Sequence, residues 1–173
     1  MSSNTISGWS DSSDNSPRSG WGARAAIGVA ILTGAVAALS LVKHPSPVRP
    51  AAVLLGGQEF RLEVADTIAA QRRGLAGRRE IPENGGMVFV FPSAEERTFW
   101  MKGMRVPIDI IWLRDNRIIG MERYVSVPAE GVPDDALPRY RSSGPSDRVI
   151  ELRAGRAEEI GLSVGQRVEI RLP

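Results

Sequence analysis

Between Gln58 and Pro173 the chain carries 17 arginines but a single lysine, Lys102, placed between Trp100 and Asp109. A lone lysine near a buried carboxylate acquires a tuned pKa or holds an anionic group, because its compact ammonium responds strongly to its surroundings. Trp100 and Trp112 bracket this pair and offer flat apolar faces for stacking. Arg73, Tyr140, Ser142 and Glu151 add further donors, acceptors and charge. These eight residues are the candidate ligand-binding set. The competing reading is structural: Asp109 closes a turn after Pro107, Lys102 is solvated, and both tryptophans fill the core, the commoner fate of large aromatics on strands.

Catalytic constellations are sparser. A two-carboxylate glycosidase needs an acid and a base or nucleophile about 5–9.5 Å apart. Asp66, Asp109, Glu63 and Glu151 are available, but their spacing selects no pair. Ser142 or Ser143 with Lys102 would make a serine-lysine arrangement, yet neither serine sits in a nucleophile-elbow motif. The chain has no cysteine, which removes disulfides, thiolate metal sites and a cysteine nucleophile together. Its one histidine, His44, falls outside the stretch that carries the candidates, so neither a His-based zinc site nor a Ser-His triad can be assembled there. No metal or cofactor is expected.

Charge narrows the partners. Residues 58–173 hold 18 basic and 18 acidic side chains, so the net charge of +2 belongs to the first 57 residues. Phosphate backbones require clustered basic charge. Arg72-Arg73 with Arg78-Arg79 is the one dense group, followed by Glu80 and Glu83, and it reads as a solvated helix face. No nucleic-acid partner is expected.

The elements that must position the candidates follow from hydrophobic periodicity. Phe60 to Val64 alternates as a half-buried strand, and Asp66 or Thr67 caps a short helix ending near Arg73 at Gly74. Met87 to Phe91 is continuously apolar, the pattern of a strand buried on both faces in mid-sheet. Thr98 to Met101 predicts another strand, and Ile108 to Leu113 pairs with Arg117 to Tyr124 across Asp115-Asn116 as a tight hairpin. Residues 128–145 contain four prolines and few apolar side chains; an irregular connection of that length is a candidate lid or binding loop. A strand at Arg148 to Leu152, a helix at Arg156 to Ile160 and a strand at Arg167 to Leu172 close the chain. The expected fold is mostly β (α+β), a barrel-like or sandwich-like sheet with two short helices over 58–172. A weak internal echo links Leu62-Glu63-Val64 before Gly74-Leu75 to Ile150-Glu151-Leu152 before Gly161-Leu162.

The first third differs in kind. Residues 1–20 are polar and lack periodicity, so a disordered tail is expected. Ala25 to Val42 contains no charge; as a helix it spans about 27 Å against a hydrocarbon core of about 30 Å. A membrane helix or signal segment over 21–43 is expected, the retained anchor favoured over cleavage after Ala35-Val36-Ala37 because a long polar leader precedes it. Ala26, Ala30, Gly34 and Ala38 offer a close-approach seam for a helix-mediated homodimer. Prolines then make residues 44–57 a stiff linker. The expected location is single-pass in a membrane with the domain extracytoplasmic, periplasmic or extracellular, and secreted if the segment is cleaved.

The residues Glu63-Val64-Ala65-Asp66-Thr67, Arg73-Gly74-Leu75, Gly86-Met87-Val88-Phe89-Val90-Phe91, Thr98-Phe99-Trp100-Met101-Lys102 and Pro107-Ile108-Asp109-Ile110-Ile111-Trp112 form an ordered series. Tyr140-Arg141-Ser142-Ser143-Gly144-Pro145 and Ile150-Glu151-Leu152-Arg153-Ala154-Gly155 continue it. Together they resemble domain-of-unknown-function family 192 (DUF 192) across nearly all of 60–170. The resemblance implies a compact, mostly β fold in small bacterial and archaeal proteins that often carry a signal or anchor, and it brings no established activity. The chain departs from the family pattern at Gly103-Met104-Arg105, where an Asn-containing tripeptide is usual. The function expected is a non-catalytic envelope module binding a sugar, peptide or envelope polymer through Trp100, Trp112, Tyr140 and the proline-rich loop. The alternatives are a hydrolase of envelope material and a structural or assembly protein.

Overall fold

Apolar runs and period-two alternation resolve into nine strands and two short helices in a computed structural model that describes residues 50–173. The chain order is β1 Ala51–Leu55, β2 Gln58–Ala65, α1 Ile68–Arg73, β3 Gly85–Glu95, β4 Thr98–Phe99, β5 Ile108–Arg114, β6 Arg117–Val125, β7 Tyr140–Arg141, β8 Ser146–Arg153, α2 Arg156–Glu159 and β9 Glu169–Arg171. The tail, the apolar segment, its small-residue seam and the linker as far as residue 49 lie outside the described residues.

Seven strands form one sheet in the order β6-β5-β8-β3-β2-β1-β9, and β4 pairs with β7 in a separate two-stranded ribbon. Among the described strands only β2 and β3 run parallel. The continuously apolar β3 lies mid-sheet between β8 and β2, as expected from its sequence. At the β5–β6 hairpin, Asp115 and Asn116 both take left-handed conformations, with φ of 51° and 59°, the requirement of a two-residue turn that follows strand twist. The sheet curls into a half-barrel, not a sandwich: Arg117 of β6 bridges Arg167, and the Ile118 amide donates to the Gln166 carbonyl at 2.9 Å.

Two expectations are corrected. Ala51–Leu55 is a strand rather than linker, paired antiparallel with β2 across Gly56-Gly57, whose φ values of 53° and 78° glycine adopts freely. The strand expected over Thr98 to Met101 shrinks to two residues outside the main sheet, so this bulky segment covers the sheet instead of extending it.

Alternation then divides the apolar side chains. Val53, Phe60, Leu62, Val88, Ile111 and Ile150 fill the concave side, closed by Ala157 and Ile160 at α2. Met87, Phe89, Ile110, Trp112 and Val149 fill the opposite face, roofed by Leu75, Met101 and Met104.

One charged residue interrupts the concave face. Asp109 is fully buried. Its Oδ1 accepts from the backbone amides of Tyr124 at 2.9 Å and Gly155 at 3.0 Å, and its Oδ2 accepts from the Ala157 amide at 2.8 Å. The carboxylate thus satisfies orphan donors at the start of α2, where Gly155 has no capping side chain. It also pins a register break opposite β5, at which Tyr124 holds φ 53°.

Asp109→Asn replaces one acceptor oxygen with a donor that faces an amide N–H. Hydrogen bonds to charged groups contribute about 1.5–3 kcal/mol each, so a loss of about 3 kcal/mol is expected, read as a lower urea midpoint at unchanged m-value.

Candidate functional site

On β8 the alternation that sends Ile150 and Leu152 into the concave core sends Glu151 to the opposite face. It is a carboxylate in an apolar row: Glu151 pairs in register with Met87 on one side and Ile110 on the other, and both neighbours belong to the outer core. Close approach of β3 depends on Gly86, where a Cβ would lie 2.2 Å from the Glu151 carbonyl oxygen. The Glu151 side chain is 95% buried, and its Oε2 has no hydrogen-bond partner. Burial pushes its pKa up to about 8, while the Leu75 backbone amide opposes that rise. At neutral pH the group is a protonated acid, able to donate as well as accept.

The same row contains the contrast. Glu63 lies across Met87 from Glu151, so the sequence echo places two glutamates on one face. Glu63 is half-exposed and bonds Arg78 at 2.6 Å; Glu151 forms no ion pair among the described residues.

Glu151 lines a recess of about 40 Å³ with Gly74, Leu75 and Met104, room enough for one water or one functional group. The recess shares Gln71, Arg72, Phe89, Phe99, Trp100 and Lys102 with an open groove of about 720 Å³ between α1 and β4, a volume typical of ligand sites. Each wall has a local cause. Thr67 caps α1 by accepting from the Ala70 amide at 3.2 Å, and Gly74 ends it at φ 52°. Gln71 fixes the helix to the sheet by donating to the Val90 carbonyl at 2.9 Å. Opposite, Phe99 stands edge-on to Phe89 with centroids 5.0 Å apart.

The eight sequence candidates divide. Trp100, Lys102, Arg73 and Glu151 line the groove or its recess. Trp100 is 37% exposed, with the Arg139 guanidinium 3.9 Å above its ring. Lys102 pairs with Asp134 in the proline-rich segment and not with Asp109, because Asp109 points to the opposite face of the sheet. Tyr140 is half-buried in β7 beside Phe99. Ser142 stitches the ribbon: its Oγ accepts from the Arg97 amide at 2.9 Å and donates to the Gly144 carbonyl at 2.7 Å. Trp112 is buried in the outer core and Asp109 in the concave one, which removes both from any surface site. Asp109 and Glu151 therefore cannot act as a carboxylate pair. Sequence reasoning missed four groove residues: Arg72, which read as part of a solvated helix face, and Phe89, Phe91 and Phe99, whose apolar strand pattern read only as core. Among the described residues no group of three His, Cys, Asp or Glu side chains is placed to hold a metal.

The Glu151 proton links folding to pH. The folded-state pKa lies above the unfolded one, so the stability this proton supplies is fully present below about pH 4.5 and is lost as pH rises to about 8. The expected slope is about 1.4 kcal/mol per pH unit across that window. Glu151→Gln should remove that contribution, so that its advantage over the parent grows between pH 5 and 8 in chemical denaturation. An advantage that stays constant with pH contradicts the burial assigned to this carboxyl.

The chain matches the DUF192 family model (Uncharacterized ACR) over residues 51–170. No curated protein matches it. Two crystal structures share the fold. One is a protein of unknown function from Novosphingobium aromaticivorans, 30% identical with a TM-score of 0.63, covering 73% of this chain and 89% of that one. The other, from Sinorhizobium meliloti, has been proposed to be a transcription regulator; it is 24% identical with a TM-score of 0.61, covering 70% of this chain and 92% of that one. With a family model that covers more than half of the chain and reaches from β1 into β9, the chain belongs to the DUF192 family.

Proposed function

We propose that this protein is a ligand-binding module whose site is the groove between α1 and β4. The observation that carries the reading is the buried Glu151 carboxyl, whose Oε2 has no protein hydrogen-bond partner, at the recess that adjoins an aromatic-lined groove. A side chain serving packing alone would be apolar in that row, because an unsatisfied buried polar group costs about 1–3 kcal/mol. Trp100 supports the same reading: a large aromatic left partly in solvent beside Lys102 and Arg139 offers a stacking face with charge at its edge. Sugars, peptides and envelope polymers with flat or apolar faces all suit such a surface. On this reading the uncharged run over residues 25–42 holds the groove at a membrane, with the domain on the extracytoplasmic side.

A thermal-shift screen of the full-length chain against sugars, cell-wall fragments, short peptides and aromatic acids tests the binding. Ligand at 100 times its Kd stabilises by about 2.7 kcal/mol, a rise of several degrees in Tm. The shift should vanish in Trp100→Ala while that variant still melts cooperatively; a shift that survives the substitution removes the groove from consideration. For the anchor, the chain should stay with membranes through alkaline carbonate washing and leave them when residues 25–42 are deleted. Release of the intact chain by the wash contradicts membrane spanning.

A further inference from the structure

We infer that the groove selects an organic anion with a flat apolar body, its acid group held by Arg72 and Arg73 and its far end accepting a hydrogen bond from Glu151. This rests on the groove being a binding site and adds the chemistry of what it binds. The cations around the groove are not equivalent. Lys102 is paired with Asp134. Arg97 stacks on Phe91 and donates to the Ser93 and Ser146 carbonyls, and Arg139 stacks on Trp100 and donates to the Asp134 carbonyl. Arg72 and Arg73, in the last turn of α1, are exposed and form no ion pair among the described residues, and both line the recess that reaches Glu151. Two uncommitted guanidiniums are the planar, forked donors that recognise a carboxylate or a phosphate. The one other acid facing the groove is the exposed Glu96, so the rim has a cationic excess that disfavours an ammonium ligand. Between rim and recess the lining is aromatic, with Phe89, Phe99 and Trp100 shared by both.

Protonation decides the inner contact. The groups that face Glu151 are Arg72 and Arg73 from α1, Lys102 from the segment after β4, and Glu63 of β2, which Arg78 neutralises; Met87 of β3 and Ile110 of β5 bring no charge. While Glu151 keeps its proton it donates to an ether or carbonyl oxygen. Once ionised, it opposes that oxygen and the ligand's own negative charge, so affinity falls as pH passes about 8.

Calorimetric titration of the full-length chain with 6-methoxy-2-naphthoate, the matching alcohol and the matching primary amine tests this. At pH 6.5 the acid should bind at least tenfold tighter than either analogue. It should weaken at least tenfold at pH 9 and at least tenfold in the Arg72→Ala, Arg73→Ala double variant. Glu151→Gln keeps a donor and cannot ionise, so its affinity for the acid should be the same at pH 9 as at pH 6.5; a tenfold loss that persists in this variant overturns the Glu151 contact. Preference for the alcohol or the amine, or an acid affinity indifferent to the arginine pair, overturns the anion assignment and leaves a binding module standing. Failure of all three probes to bind overturns the flat-anion assignment, and the binding module is then decided by the wider thermal-shift screen.

Discussion

Asp109 occupies a position where alternation on β5 calls for an apolar side chain, and three backbone amides from two other parts of the chain converge on it. The Tyr124 amide belongs to β6, and those of Gly155 and Ala157 to the entry of α2. Removing a carboxylate from water is costly unless its lone pairs are satisfied, and here satisfying them fixes the geometry of the barrel end. The β6 register break, the left-handed Tyr124 and the start of a helix of only four residues all depend on one side chain. Because α2 delivers Ala157 and Ile160 to the concave core, the packing of every strand that curls around it depends on that carboxylate too.

The neighbouring strand answers the same problem in the opposite way. Asp109 pairs in register with Leu152, and Ile110 with Glu151, so successive rows of one sheet present a carboxylate to each face. The concave one is saturated by backbone donors. The outer one has Leu75's amide and the apolar Met87 and Ile110 beside it in the row, and it keeps its proton instead. Satisfied charge and retained proton are the two ways a buried carboxyl becomes tolerable, and only the second leaves hydrogen-bonding capacity for another molecule.

Much of the scaffold is legible in the sequence because its signals are local. The apolar run Met87 to Phe91 requires a central strand, Asp115-Asn116 supplies the left-handed hairpin turn, and Thr67 with Gly74 brackets α1. Where the reading fails, the deciding interaction is long-range. Ala51–Leu55 has no alternation and follows a proline-rich stretch, so it resembles linker; Gly56-Gly57 before an alternating run was the available signal. Thr98 to Met101 has strand composition, but the sheet already has two neighbours for β3, and the segment pairs with β7 instead. For the site, Trp100, Lys102, Arg73 and Glu151 converge as residue types suggested, whereas Asp109 and Trp112 do not. Their fate depends on the face each presents, and alternation within an almost wholly apolar strand does not disclose which face is covered by what.

The placement of Glu151 also bears on why a sheet would retain such a residue. Met87 and Ile110 beside it show that the row is compatible with apolar packing, and Glu63 in the same row shows that a carboxylate there is readily neutralised by an arginine. Burying a polar group without a partner costs about 1–3 kcal/mol, a sizeable share of the 5–15 kcal/mol that holds a domain folded. Glu151 differs from Glu63 in having a recess at its carboxyl that adjoins an aromatic groove with two uncommitted arginines on α1. A polar group left unsatisfied next to a space of that size is tolerable where something else enters to satisfy it, and the energetic penalty in the free protein then reappears as affinity for what enters.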